Sequence, residues 1–302
     1  MEEAVISDRT ISLVLGSGGA RGLAHIGAIR CLEDNGYEIA YISGSSIGAL
    51  IGGIYAAGEL ETYASWVSEL SRSDVIRLLD WKFSRGAVFS SKGILTLLEN
   101  MIADRDIESL DIGFTAVATD INEQQEVWLN RGSLFEAIRA SIAMPLIFEP
   151  VEHGHRTLVD GGLINPVPIA PTLNADTSRT IAIRLDGIAA EPEVDRKKKG
   201  EGRTPDSDDI REKIARFIDD LMPQGSRDEP ESLNAIELAL QSIDTMQRTI
   251  ADMKLAVYGP DLEIQMPGNL CSFLDFHRGR ELIEIGYRRT EAALSNAEGW
   301  LV

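Results

Sequence analysis

A serine can do covalent chemistry when the backbone turns so sharply that its hydroxyl stands clear of its neighbours. Gly44-Ser45-Ser46-Ile47-Gly48 has the spacing for such a turn. The apolar run Ile39 to Ser43 precedes it, and Ile47, Leu50, Ile51 and Ile54 follow at helical spacing, so Ser46 stands where a strand meets a helix. Unpaired N–H groups and the dipole at a helix start favour developing negative charge there. Ser46 is the candidate nucleophile for acyl transfer, and Gly44 and Gly48 are the glycines that let the elbow close. The competing reading is a tight glycine turn in which Ser45 or Ser46 only caps the helix.

A second glycine cluster, Gly16-Ser17-Gly18-Gly19-Ala20-Arg21-Gly22, follows the apolar run Ile11 to Leu15. It misses the dinucleotide fingerprint, because Arg21 stands where the third glycine belongs. It also misses the phosphate loop, because no Lys-Ser/Thr pair follows. Successive small residues do leave the amides of Gly18 and Gly19 free to point at one spot, as an oxyanion hole requires. Arg21 has two readings: its guanidinium grips an anionic part of a substrate, or it stabilises the loop.

Acyl transfer needs a base. His25 falls on the inward face of the first helix, a core position, and His153 and His155 flank Gly154 in a hairpin turn. His277 would complete the chain order Ser…Asp…His of hydrolase triads, although that fold places several strands before its elbow and only one is found here. Asp160 is the other solution. It ends the short strand Leu158-Val159, and Gly161-Gly162 turn the chain away and leave its carboxylate in a cleft. Partial burial beside a hydroxyl would lift the carboxyl from its usual pKa of about 4 and make it a better base.

Two strand–glycine turn–helix units in the first sixty residues predict an α/β fold with a parallel sheet and packed helices. Helical patterns continue over 59–79 and 93–103. Phe114 to Thr119 is the next strand, with Glu126 to Leu129 as its partner, and Leu134 to Ile142 is a helix halted before Pro145. Thr180 to Leu185 is the last strong parallel-type strand. From about Ile188 the chain turns rich in charge, Pro and Gly, which marks a mobile loop; Arg196 to Lys199 lies in it and reads as solvated rather than bilayer-bound. Helices near 210–222 and 231–252, a strand at Lys254 to Tyr258 and a helix over Phe276 to Ser295 complete the pattern. The core therefore spans 10–186, with 187–302 as a mobile loop and helical elaboration of the same domain.

Bulk composition excludes more than it assigns. A formal charge of −19 over 302 residues repels phosphate backbones, so nucleic acid is not the expected partner. The same field disfavours broad docking on anionic lipid. Cys31 and Cys271 make no disulfide framework, and the spacing offers no metal site. Met1 to Thr10 has no leader-like apolar run, and the longest apolar stretch, Ile47 to Ala57, is too short to span a bilayer. The expectation is a cytoplasmic protein, soluble or peripheral to a membrane.

Taken together, these residues resemble the patatin-like phospholipase family, its short bacterial members in particular, over residues 10–186. The resemblance rests on Gly18-Gly19-Ala20-Arg21-Gly22, Gly44-Ser45-Ser46-Ile47-Gly48 and Asp160-Gly161-Gly162, with Ser141-Ile142-Ala143-Met144-Pro145 and Asn165-Pro166-Val167-Pro168 on either side of the acid. Ser17 departs from it, standing where many members carry another glycine. The resemblance implies a three-layer α/β/α fold with a mostly parallel central sheet and a Ser46–Asp160 dyad without histidine. It also implies hydrolysis of lipid acyl esters with no metal and no cofactor. Other readings stay open: a triad on His277, a nucleotide- or anion-binding protein, and a lipid-binding scaffold.

Overall fold

A computed structural model describes residues 7–78, 81–84, 87–89, 92–102, 105–187 and 229–297. The first half alternates strand and helix: β1 (Thr10–Leu15), α1 (Ala24–Asp34), β2 (Glu38–Ser45) and α2 (Ile47–Ala56). Helices α3 (Leu60–Glu69) and α4 (Arg72–Leu78), the hairpin β3 (Trp81–Ser84) and β4 (Ala87–Phe89), and α5 (Lys92–Ile102) follow. Next come β5 (Gly113–Asp120), β6 (Gln125–Leu129), α6 (Leu134–Ser141), β7 (Val151–His153), β8 (Arg156–Asp160) and β9 (Arg179–Gly187). The last elements are α7 (Glu229–Tyr258), β10 (Leu262–Pro267) and α8 (Gly279–Asn296). Met1–Ala190 and Ile243–Val302 form one compact unit, and Glu191–Ser242 another. The expected helix over 210–222 and the Arg196 to Lys199 run lie outside the described residues.

Strands β10, β9, β1, β2 and β5 lie side by side in that order and all run parallel. Their apolar residues alternate between two faces, as period-two geometry requires. Ile11, Leu13 and Leu15 of β1 and Ile181, Ile183 and Leu185 of β9 join the core with α1, α2, α3 and α8. Val14 and Ala182 face the other way, onto Val167, Ile169 and the α7 residues Ala251, Leu255 and Tyr258. The result is a three-layer α/β/α arrangement.

Three further strands make the sheet mixed. β6 pairs antiparallel with β5 along Ala116 to Asp120 and so occupies one edge of it. A strand has two edges, so β2 and β8 must share the other. β2 pairs up to Val117, opposite Ser45, and β8 takes over antiparallel from Ala118, opposite Asp160. β7 then pairs antiparallel with β8. Two strands thus meet head to head beside β5.

The expected strand at Lys254 to Tyr258 is instead the last turn of α7, and the strand there is β10. Ala251, Leu255 and Tyr258 recur at helical spacing on one buried face, a pattern a short apolar run does not distinguish from a strand. The β3–β4 hairpin is an addition to the expected elements. Among the described residues no helix is long and apolar enough to cross a membrane.

Helices α1 and α8 approach backbone to backbone. A Cβ at Gly286 would lie 2.0 Å from the Ala24 carbonyl oxygen, and one at Gly27 would lie 1.8 Å from that of Ile283. Gly286→Ala should therefore destabilise the fold by about 1–3 kcal/mol. Urea unfolding checks this: the midpoint should fall with an unchanged slope, and an unchanged midpoint would contradict the close contact.

Candidate active site

Ser46 stands between the last residue of β2 and the first residue of α2, with φ 56° and ψ −125°. A side chain seldom adopts positive φ, so the surroundings must over-determine it. They do. The Ser46 N–H donates to Ser141 Oγ at 3.0 Å, and that hydroxyl donates to the Val117 carbonyl at 2.6 Å. A Cβ at Gly44 would sit 2.5 Å from the Ala49 nitrogen and one at Gly48 only 2.0 Å from the Leu15 oxygen, so both flanking positions need glycine.

The head-to-head strands bring the acid to this turn. Ser45 and Asp160 are successive partners along one edge of β5, and Ser46 Oγ donates to Asp160 Oδ2 at 2.5 Å. The Gly162 N–H donates to Oδ1 at 2.7 Å. The main chain of Asp160 is fixed as well, its N–H donating to the Ala143 carbonyl at 3.0 Å and its carbonyl accepting from Thr119 Oγ1 at 2.9 Å. Gly161 fits the junction because a Cβ there would lie 2.0 Å from the Val117 oxygen. Complete burial pushes the Asp160 carboxyl up to about 7, against the opposing pull of its hydrogen bonds from Ser46 and Gly162.

The glycine loop lies beside them. Its outer amides are committed: Gly16 donates to Ile183, Ser17 to Pro166 and Ala20 to Phe273 carbonyls at 2.8–2.9 Å. Among the described residues, the Gly18 and Gly19 amides have no such partner. Both glycines have positive φ, 157° and 56°. Arg21 is buried, and its guanidinium donates to the Gly18 carbonyl at 3.1 Å, to the Gly268 carbonyl at 2.9 Å and to Asp244.

Gly19, Ser46 and Asp160 lie on the wall of a cavity that opens to solvent, with about 830 Å³ of empty space when that opening is included. Apart from them the wall is apolar or aromatic, including Leu50, Trp66, Leu98, Met144 and Phe148. A fatty acyl chain fits such a lining. The C-terminal segment contributes Phe273, Leu274 and Phe276, which sequence reasoning missed. No local pattern marks them, because their place depends on the chain returning after β10.

None of the histidines is hydrogen-bonded to Ser46 or Asp160 among the described residues. His25 is buried under the glycine loop with Nε2 bonded to the Gly16 carbonyl at 2.9 Å, and burial lowers its pKa to about 4. His153 ends β7 and His155 lies in the β7–β8 turn, both exposed. His277 lies in the turn before α8, and the Asp160 oxygens are bonded to Ser46 and Gly162 rather than to it. Among the described residues no group of three His, Cys, Asp or Glu side chains could hold a metal ion.

The family profile "Patatin-like phospholipase" matches residues 13–173. An uncharacterized NTE family protein of Mycobacterium tuberculosis is 34% identical over 335 residues, covering 97% of this chain and 93% of that protein. Patatin-like phospholipase domain-containing protein 7 of Rattus norvegicus is 33% identical over 192 residues, covering 60% of this chain but 13% of its own length. VipD of Legionella pneumophila overlays with a TM-score of 0.47 at 12% identity, over 95% of this chain and 67% of that one. The chain belongs to the patatin-like phospholipase family.

Proposed function

We propose that this protein hydrolyses acyl esters of lipids through a Ser46–Asp160 dyad. Family membership supports lipid acyl hydrolysis in general. The observation that carries the finer reading is the 2.5 Å hydrogen bond between two buried side chains on the wall of an apolar cavity.

In acylation, Ser46 Oγ attacks the ester carbonyl carbon while Asp160 Oδ2 takes its proton. The oxygen that becomes negative is held by the free amides of Gly18 and Gly19; the Ile47 N–H at the start of α2 is a further candidate donor. Collapse of the tetrahedral species releases the alcohol, which leaves with the proton from Asp160. Water then attacks the acyl-serine, Asp160 takes the water proton, and the proton passes to Ser46 as the fatty acid departs. Arg21 stabilises the loop in this scheme, because its guanidinium is buried among protein acceptors. We read 10–186 as the catalytic core and the C-terminal segment as an elaboration of it. That reading is supported by β10 extending the sheet and α8 packing on α1.

A fluorophosphonate probe should label the wild-type protein and not Ser46→Ala. Asp160→Asn should cut ester turnover at least about a thousandfold, while His277→Ala stays near wild type. Retained turnover in either dyad variant would contradict the mechanism, and loss in His277→Ala would restore the triad.

The raised carboxyl pKa also fixes two pH dependences. Since the base must be ionised, kcat/KM should rise with pH to a plateau above about 7. A carboxyl whose folded pKa exceeds its unfolded value stabilises the fold at low pH, and that contribution is lost as pH rises through about 7. Asp160→Asn removes the cost of burying the charged form, so its Tm should exceed that of wild type by several degrees near pH 8.5. The gap should shrink toward pH 5 and close only below about pH 4, the unfolded value. Equal Tm values at both pH values would contradict the assignment.

A further inference from the structure

We infer that Asp244 of α7 is a positioning residue for the oxyanion loop, acting through Arg21; this rests on the Ser46–Asp160 reading. Asp244 lies well beyond residues 13–173, where the family profile matches. It nonetheless pairs across 223 positions of chain with a guanidinium that reaches into the glycine loop.

The loop needs such a support. Gly18 and Gly19 carry no side chains to pack, and both sit at positive φ, so little within the loop itself fixes where their amides point. The residues on either side of the pair are the ones α7 holds. Arg21 donates Nε to the Gly18 carbonyl, so the peptide that supplies the Gly19 amide is tied to the guanidinium plane. Ser17, on the other side, donates Oγ to Gln247 Oε1 at 3.4 Å. Asp244 and Gln247 are three residues apart and share one helix face. That face also abuts the turn after the dyad acid, where a Cβ at Gly162 would lie 2.8 Å from Gln247 Nε2.

Electrostatics decides which contact matters most. The Arg21 side chain is 7% exposed and that of Asp244 45%. A cation this buried requires a counter-charge, and Asp244 is the carboxylate it is bonded to. Removing the charge leaves Arg21 uncompensated, and the guanidinium regains solvation only by swinging out and releasing the Gly18 carbonyl. The oxyanion amides then lose their aim, whereas the acyl cavity, to which the loop contributes Gly19 among otherwise apolar walls from other segments, keeps most of its lining.

The same helix supplies a control. Asp252 bonds another buried guanidinium, that of Arg184, at 2.7 Å. Arg184 sits on β9 and also bonds Asp186 of that strand and Glu263 of β10, and among the described residues none of its bonds reaches the glycine loop. Arg184 keeps Asp186 and Glu263 when Asp252 is lost, so Asp252→Asn tests whether weakening an α7 ion pair away from the glycine loop reaches kcat at all.

The test is steady-state kinetics of purified full-length Asp244→Asn, Asp244→Glu and Asp252→Asn on a p-nitrophenyl acyl ester, with Tm measured for each. Misplacing oxyanion donors is expected to lower kcat about 10- to 100-fold with KM within about twofold. Asp244→Glu should recover most of that loss, and Asp252→Asn should lower Tm while kcat stays near wild type. Wild-type kcat in Asp244→Asn would overturn the inference, and so would equal losses in Asp244→Asn and Asp252→Asn. A wild-type protein inert to both ester and fluorophosphonate would overturn the dyad itself, a result visible before any variant is made.

Discussion

The site depends on one junction: two strands ending against each other along the same edge of β5. β2 stops opposite Val117 and β8 stops opposite Ala118, so the next side chain of one strand and the last side chain of the other are forced into contact. Ordinary neighbouring strands stand about 4.8 Å apart and run past one another. Here β5 changes partner between Val117 and Ala118, the Val117 carbonyl at the seam accepts from the Ser141 hydroxyl, and the two chains must leave the sheet at once. The elbow and the Gly161-Gly162 turn are those exits, which is why glycine crowds both.

The junction also sets the chemistry. A carboxylate with no exposure would ordinarily be neutralised or paired with a cation. Asp160 instead meets one hydroxyl and one amide, enough to lower its pKa somewhat but not to cancel burial. The outcome is a carboxyl group that titrates near neutrality with no histidine bonded to it, the property the proposed mechanism asks of its base. The serine's own strain has a matching origin, since its positive φ follows from the abrupt exit and is held by Ser141 and the Val117 carbonyl.

Much of this was legible because each requirement is local. Gly44, Gly48, Gly161 and Gly162 stand where a methyl group would strike backbone or a buried side chain, and the elbow serine and the strand-ending acid carry their signals in five-residue windows. The antiparallel entry of β8 was not legible, because Leu158-Val159-Asp160 reads the same in either direction. The returning C-terminal segment was no clearer. Phe273 caps the Ala20 amide and Asp244 neutralises Arg21, yet neither residue has a neighbour in sequence that hints at its partner more than two hundred positions away. Lys254 to Tyr258 was misread because five apolar-rich residues fit both periods, and the helix is long enough only when its earlier turns are counted.

The most direct test of the account is the titration of the Asp160 carboxyl itself, followed by infrared difference spectroscopy of wild type against Asp160→Asn. A protonated carboxyl band should vanish with a midpoint near pH 7, as burial at the strand junction dictates, and be missing from the variant. A carboxyl already ionised at pH 5, titrating at the ordinary value of about 4, would mean that water reaches the pair and that the buried dyad described here does not exist.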